Sequence, residues 1–213
     1  MVHPYYHGTS ELFLSSIIST GLGGINPNLE YGLLDILRHL YSISEDNLLD
    51  NEKYLKIRTT TKAMVNQSLL SYPNTPGAEK LNFEHGYTYV SCIKDIAISY
   101  AVNKEYGSEI LTRIIHLYRL IKDFRHNFYV PKELDSIDID RISKQKTKPV
   151  LICLHDIKSN ELLTEFGGPS EYIIDRIFNL SVDYDKAWLV QNCNFRLASP
   201  IEEGRLKYYK IKI

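Results

Sequence analysis

The chain has 213 residues, with 25 Lys and Arg against 26 Asp and Glu for a formal net charge of −1, and is 44% hydrophobic and 24% charged. These values suit a soluble globular protein that buries a core without staples, and the near-zero charge excludes a global attraction to nucleic acid or to an anionic membrane. Cys92, Cys153 and Cys193 show no CxxC or Cys/His ligand spacing, which predicts reduced thiols rather than a disulfide framework or a zinc site. No stretch reads as a secretory leader or a membrane span, so a cytoplasmic location is expected.

In chain order, Tyr5–His7 reads as a short strand. Leu12, Phe13, Ile17 and Ile18 put an amphipathic helix over Glu11–Thr20, ended by Gly21 or Gly23. After the loop Gly23–Asn28, the leucines of Leu33–Tyr41 predict a helix, and Asn47–Leu55 and Thr60–Ser71 read as two more. Asn74–Gly77 is a turn signal. Tyr87–Ser91 alternates and is β-rich. Lys94–Tyr106 is helical and ends at Gly107. The Ile, Thr and Tyr content of Ile110–Leu120 points to a strand, and the charged Asp135–Lys148 to a surface excursion. Val150–Leu154, Glu171–Ile174, Ala187–Gln191 and Leu206–Ile211 read as strands, with a polar, Gly-Gly-Pro-containing stretch over His155–Ser170. There is no internal repeat and no linker. The order is strand-helix, helical insert around 31–72, strand-helix, then mostly strands, an α+β single domain over 1–213.

Three separated pieces carry candidate chemistry. In Tyr6-His7-Gly8-Thr9-Ser10, His7 offers a hydrogen bond, Gly8 permits close approach to the backbone, and Thr9 and Ser10 can cap a helix or meet a polar ligand. Tyr89 and Tyr100, on a strand and the helix after it, can form a slot for a flat ring, cationic rings especially. Glu171 places a carboxylate beside a Gly-Gly-Pro-Ser loop. Taken singly, each is a commonplace: a helix-cap histidine, packing tyrosines, a solvated strand end. His85 and His155 read as loop positions, and Lys144, Lys146 and Lys148 as a solvated face. The tail Arg205–Lys212, with Tyr208 and Tyr209 between basic residues, has the basic and aromatic composition used for single strands and reads more simply as an amphipathic strand.

Together and in this order, the pieces resemble the ADP-ribosyltransferase superfamily, in its His-Tyr-Glu branch. Tyr6-His7-Gly8-Thr9 with Gly21-Leu22 is similar to the first motif. Gly86-Tyr87-Thr88-Tyr89-Val90-Ser91 with Ala97 and Tyr100 is similar to the second, with one residue more than usual between Gly86 and Tyr89. Ser170-Glu171-Tyr172-Ile173-Ile174 is similar to the third.

The resemblance implies a split, mostly antiparallel β-core with flanking helices and NAD as substrate, with no metal. It implies His7 on the adenosine-side ribose, Gly8 on the nicotinamide amide, Tyr89 and Tyr100 around the nicotinamide ring, and Ser91 reaching the amide. Thr9 belongs to the same NAD-binding set, and Glu171 to the nicotinamide ribose and the acceptor. His7, Tyr89 and Glu171 are thus the expected catalytic set, and Glu165 and Phe166 candidates for selecting the acceptor. The expected activity is transfer of ADP-ribose from NAD to a nucleic acid or a protein, as a toxin or anti-phage effector with an antitoxin protein as a partner and no membrane. An NAD glycohydrolase and a silent NAD or ADP-ribose binding module stand as alternatives. The insert can serve target or antitoxin recognition, or simply cap the core.

Overall fold

A computed structural model describes residues 3–71, 80–179, 188–189 and 192–212. Among these the fold is α+β. A six-stranded antiparallel sheet holds β1 (Tyr5–Ser10), β4 (Tyr89–Ser91), β5 (Pro149–Leu154), β6 (Leu162–Thr164), β7 (Asn194–Leu197) and β8 (Leu206–Lys210), in the order β6-β7-β4-β1-β5-β8. A separate hairpin pairs β2 (Leu69–Ser71) with β3 (Lys80–Asn82). The helices are α1 (Leu14–Thr20), α2 (Pro27–Glu30), α3 (Leu33–Asn47), α4 (Glu52–Val65), α5 (Lys94–Asn103), α6 (Glu109–Phe124), α7 (Ile139–Lys144) and α8 (Glu171–Phe178). No described helix is long and apolar enough to cross a membrane.

Two apolar clusters divide the molecule. One is helical: Leu33, Ile36, Leu37 and Leu40 of α3 meet Ile110, Ile114, Ile115 and Ile121 of α6. Spacing of three and four residues puts these side chains on one stripe of each helix. Arg58 of α4 makes two 2.8 Å bonds to the Glu45 carboxylate of α3, which ties those two helices together. The other cluster lies on the sheet and joins Tyr5, Val90, Ile152, Leu154, Phe195 and Ile201 to Ile17 and Leu22 of the first helix region.

The expected strand over Ile110–Leu120 is instead the buried helix α6. Its β-branched content misleads, because Ile110, Ile114, Leu117 and Ile121 recur at helical spacing and Ser108 caps the start by accepting from the Leu111 amide. The expected strand Glu171–Ile174 is likewise the start of helix α8, whose Ile173, Ile174 and Ile177 pack on the sheet cluster. Two helices, α3 and α4, occupy the insert where three were expected. The excursion Asp135–Lys148 contains α7, with Ile139 and Ile142 buried. In the span Ala187–Gln191 the two described residues, Trp188 and Leu189, are helical, and the strand that follows is β7. The turn Asn74–Gly77 lies outside the described residues.

The sheet is uneven at its centre. β1 pairs with β5 over six residues, from Tyr5↔Leu154 to Ser10↔Pro149. With β4 it pairs only at Tyr6↔Ser91. The next partners in that register, His7 with Val90 and Gly8 with Tyr89, are not paired, so the sheet opens there.

Candidate functional site

A cavity of about 280 Å³ occupies this opening. His7, Gly8 and Thr9 of β1, Tyr89 and Ser91 of β4, and Tyr100 of α5 all line it, so six of the seven candidate residues meet in one place. Where the β1–β4 ladder stops, the His7 ring takes over: Nδ1 lies 2.7 Å from the Tyr89 carbonyl oxygen. A carbonyl only accepts, so Nδ1 carries the hydrogen and donates, and Nε2 is left as an acceptor. Burial lowers the His7 pKa below its ordinary value against the opposing pull of the Tyr89 carbonyl. Neutral pH therefore finds a neutral imidazole with a lone pair to offer a ligand hydroxyl.

Gly8 has a different use from the one its type suggests. A Cβ at this position would lie 2.0 Å from the Ala97 carbonyl oxygen, so the glycine exists to let α5 lie against β1. That close approach carries Tyr100 to the cavity. Gly107, at φ +74°, does the same for the segment leading into α6: a Cβ there would lie 2.5 Å from the Ser10 nitrogen. The Thr9 hydroxyl donates to the Gly107 carbonyl at 3.3 Å, which fixes the far end of the cavity. Ser10 caps the turn Glu11–Phe13 through the Leu12 amide.

The Ser91 hydroxyl is already engaged. It donates to the Cys193 carbonyl at 3.2 Å and accepts from the Ile93 amide at 3.2 Å, which sets the turn into α5. The Tyr89 hydroxyl, by contrast, is buried with no hydrogen-bond partner among the described residues. Burial, with the nearby Glu165 charge, pushes its pKa up to about 12. The Tyr100 pKa is also raised, by burial first and then by Glu109. A neutral phenol at the wall of a cavity can donate one hydrogen bond and accept another.

Glu171 does not join the others. It is the exposed first residue of α8 and is not among the cavity-lining residues. The carboxylate residues that line the cavity are Glu84, Glu109 and Glu165. The backbone turns tightly just after β6: Gly167 N donates to Thr164 O at 2.9 Å, Thr164 N donates to Gly168 O at 2.8 Å, and Gly168 N donates to the Thr164 hydroxyl at 2.9 Å. Gly167, at φ +86°, allows the turn. Glu165 is the first residue of that turn and is half-buried. Burial raises its pKa above the ordinary carboxylate value. The Gly-Gly pair two residues after Glu165 signals a turn at that carboxylate, and the isoleucines at helical spacing after Ser170 signal a helix at Glu171.

A second polar wall comes from segments that no motif covers. His85 and Glu109 both line the cavity. Gln67 approaches His85 Nδ1 at 3.4 Å and accepts from its backbone amide at 2.8 Å, while His85 Nε2 lies 3.3 Å from Glu109. Lys104 also pairs with Glu109. Burial alone would raise the Glu109 carboxyl, but these partners override it and hold it at about 2. Asn26 and Asn28 bind the carbonyls of Gly86 and His85 and hold this strip of backbone beside α2.

No group of described residues is arranged to hold a metal ion. Comparison with protein family models, with curated proteins and with solved structures finds no match for this chain.

Proposed function

We propose that this chain binds NAD in the opening of its sheet and transfers the ADP-ribose group to a macromolecular acceptor with release of nicotinamide. The reading rests on one observation above all: His7, Gly8, Tyr89 and Tyr100 line a single cavity at the point where the sheet splits, and a half-buried carboxylate, Glu165, lines it with them. An open, antiparallel sheet with helices on its flanks also supports the ADP-ribosyltransferase-like fold that the resemblance implies. The carboxylate role passes from Glu171 to Glu165.

The chemistry follows from charge. Nicotinamide in NAD is a cationic leaving group. Its bond to the ribose C1′ breaks with the electron pair going to nicotinamide, and positive charge develops on the sugar. A fixed carboxylate beside that sugar stabilises the transition state more than the ground state. Tyr89 and Tyr100 line the cavity, and an aromatic face set against the nicotinamide ring favours its cationic form while it is bound. The acceptor lone pair then forms the new bond to C1′, and its proton passes to Glu165, whose raised pKa brings it nearer the range for that task. Nε2 of His7 accepts from a ribose hydroxyl.

The test is nicotinamide release from NAD by the purified protein, with radiolabelled ADP-ribose followed into nucleic acid and protein of a lysate. Release by the wild type and its loss in Glu165→Gln support the reading. No release, or full release by Glu165→Gln, overturns it. Free ADP-ribose with no label on any macromolecule selects the glycohydrolase instead.

A further inference from the structure

On the Glu165 side, the rim of the cavity carries residues that NAD cleavage does not use. Arg196 stands opposite Tyr89 in the β4–β7 pairing, so the two side chains share a face of the sheet. Its guanidinium carbon sits 3.0 Å from the centre of the Tyr87 ring. One of its terminal nitrogens is 3.3 Å from where a Cβ on Gly167 would stand, which brings it against the turn that bears Glu165. Tyr87 lines the cavity and is 45% exposed, whereas Arg196 is not a lining residue. The cation therefore lies outside the NAD cavity, on its lip. Among the described residues it has no ion pair, and its Nε is buried without a hydrogen-bond partner. Phe166, between Glu165 and Gly167, is 63% exposed.

A guanidinium held over a ring, weakly hydrated and without a carboxylate partner among the described residues, is suited to phosphate. An exposed phenylalanine alone means little. Next to an unpaired guanidinium and an exposed tyrosine, it completes what a single strand needs: ring faces for bases and a cation for the backbone. The near-zero net charge limits the electrostatic part of such binding to a local contact.

We propose that Tyr87, Phe166 and Arg196 form a docking rim for a short single-stranded nucleic acid, with a base on the exposed ring and a phosphate on Arg196, so that the acceptor of ADP-ribose is carried on nucleic acid. The transfer step rests on the NAD reading: the acceptor atom bonds to C1′ as nicotinamide leaves, and its proton goes to Glu165. The binding step stands without it.

The experiment is fluorescence anisotropy with a labelled ten-nucleotide single strand and the duplex of the same sequence, for wild type, Arg196→Gln and Phe166→Ala. The single strand is expected to bind in preference to the duplex. Each substitution weakens it roughly tenfold, which is the scale of one lost stacked base or phosphate contact. Arg196→Gln also flattens the salt dependence by about one phosphate contact. Phe166 is a surface residue, so its variant keeps the test open if Arg196→Gln does not fold. Failure of the wild type to bind single strands, binding by both variants equal to wild type, or label found on protein alone overturns the proposal. Strand binding without nicotinamide release leaves the docking rim standing and overturns the NAD reading, and the transfer step with it.

Discussion

The sheet half and the helical half of this molecule are built to different ends. The helical cluster of α3, α4, α6 and α7 is closed: its apolar stripes face one another, and its polar groups are tied off in pairs such as Glu45 with Arg58 and Asp140 with Lys122. The sheet cluster is left open at its centre, where β1 and β4 part and the buried Tyr89 hydroxyl has no partner among the described residues. The closed half is packed and paired, and the open half carries the candidate site, the arrangement expected where a site's unsatisfied groups are supported by the rest of the fold.

The sharpest way to break this contrast is at Glu165. Glu165→Gln should lower nicotinamide release by about 100- to 1000-fold, the scale of one preorganised electrostatic group, while Glu171→Ala changes it less than twofold; the reverse result would return the catalytic role to α8. Because burial raises the folded-state pKa of Glu165, ionising it works against folding at every pH above the ordinary carboxylate range. Glu165→Gln should then melt at a higher temperature than wild type at pH 7, a gain in stability that accompanies the loss of activity.

Next in size is Gly8→Ala. The added carbon meets backbone, not a flexible side chain, so α5 must shift away from β1. A loss of about 3 kcal/mol is expected in denaturant melts, against less than 0.5 kcal/mol for a surface change such as Glu30→Ala. Equal stability of Gly8→Ala and wild type would mean that α5 does not lie where the structure has it.

Glu109 links the two halves, and its effect is smaller and depends on pH. Its folded-state value of about 2 lies below the ordinary one, so the stability it contributes is present above about pH 4.5 and is lost as pH falls toward 2. Glu109→Gln should cost about 1–3 kcal/mol at pH 7, and the difference from wild type should vanish near pH 2. A difference that persists unchanged at low pH would show that packing, not charge, is lost.

The smallest effect concerns the pH profile. His7 is held neutral by burial, and its protonation belongs below the ordinary histidine range. The rate of nicotinamide release should be flat from about pH 7 to 8 and fall on the acid side, with the Glu165 step shifted above the ordinary carboxylate pKa. In Glu165→Gln the Glu165 step disappears from whatever rate remains, and only the His7 step is left on the acid side.

Legibility followed the same division. The readings of Tyr5–His7, Tyr87–Ser91, Val150–Leu154 and Leu206–Ile211 as strands each overlap an observed one, and β1 runs three residues further, to Ser10. The reading of Ile110–Leu120 as a strand does not, because buried helices and buried strands are both apolar, and only the three- and four-residue recurrence separates them. Six of the seven candidate residues lie in elements whose type was readable, and they share the cavity. Glu171 lies in an element whose type was misread, and it falls outside. The His85–Glu109 wall joins residues 24 positions apart through a helix start and a loop, and no local pattern announces that meeting.

The single pairing of β1 with β4 also has a mechanical meaning. The sheet is two three-stranded panels, β6-β7-β4 and β1-β5-β8, held at the centre by one ladder position and one histidine side chain. Amide exchange should divide along that seam, with the panel built on the six-residue β1–β5 ladder protected longest and the β4 panel opening as a separate unit. A ligand seated in the seam touches both panels. It would clamp them, and slow exchange in strands that it never contacts.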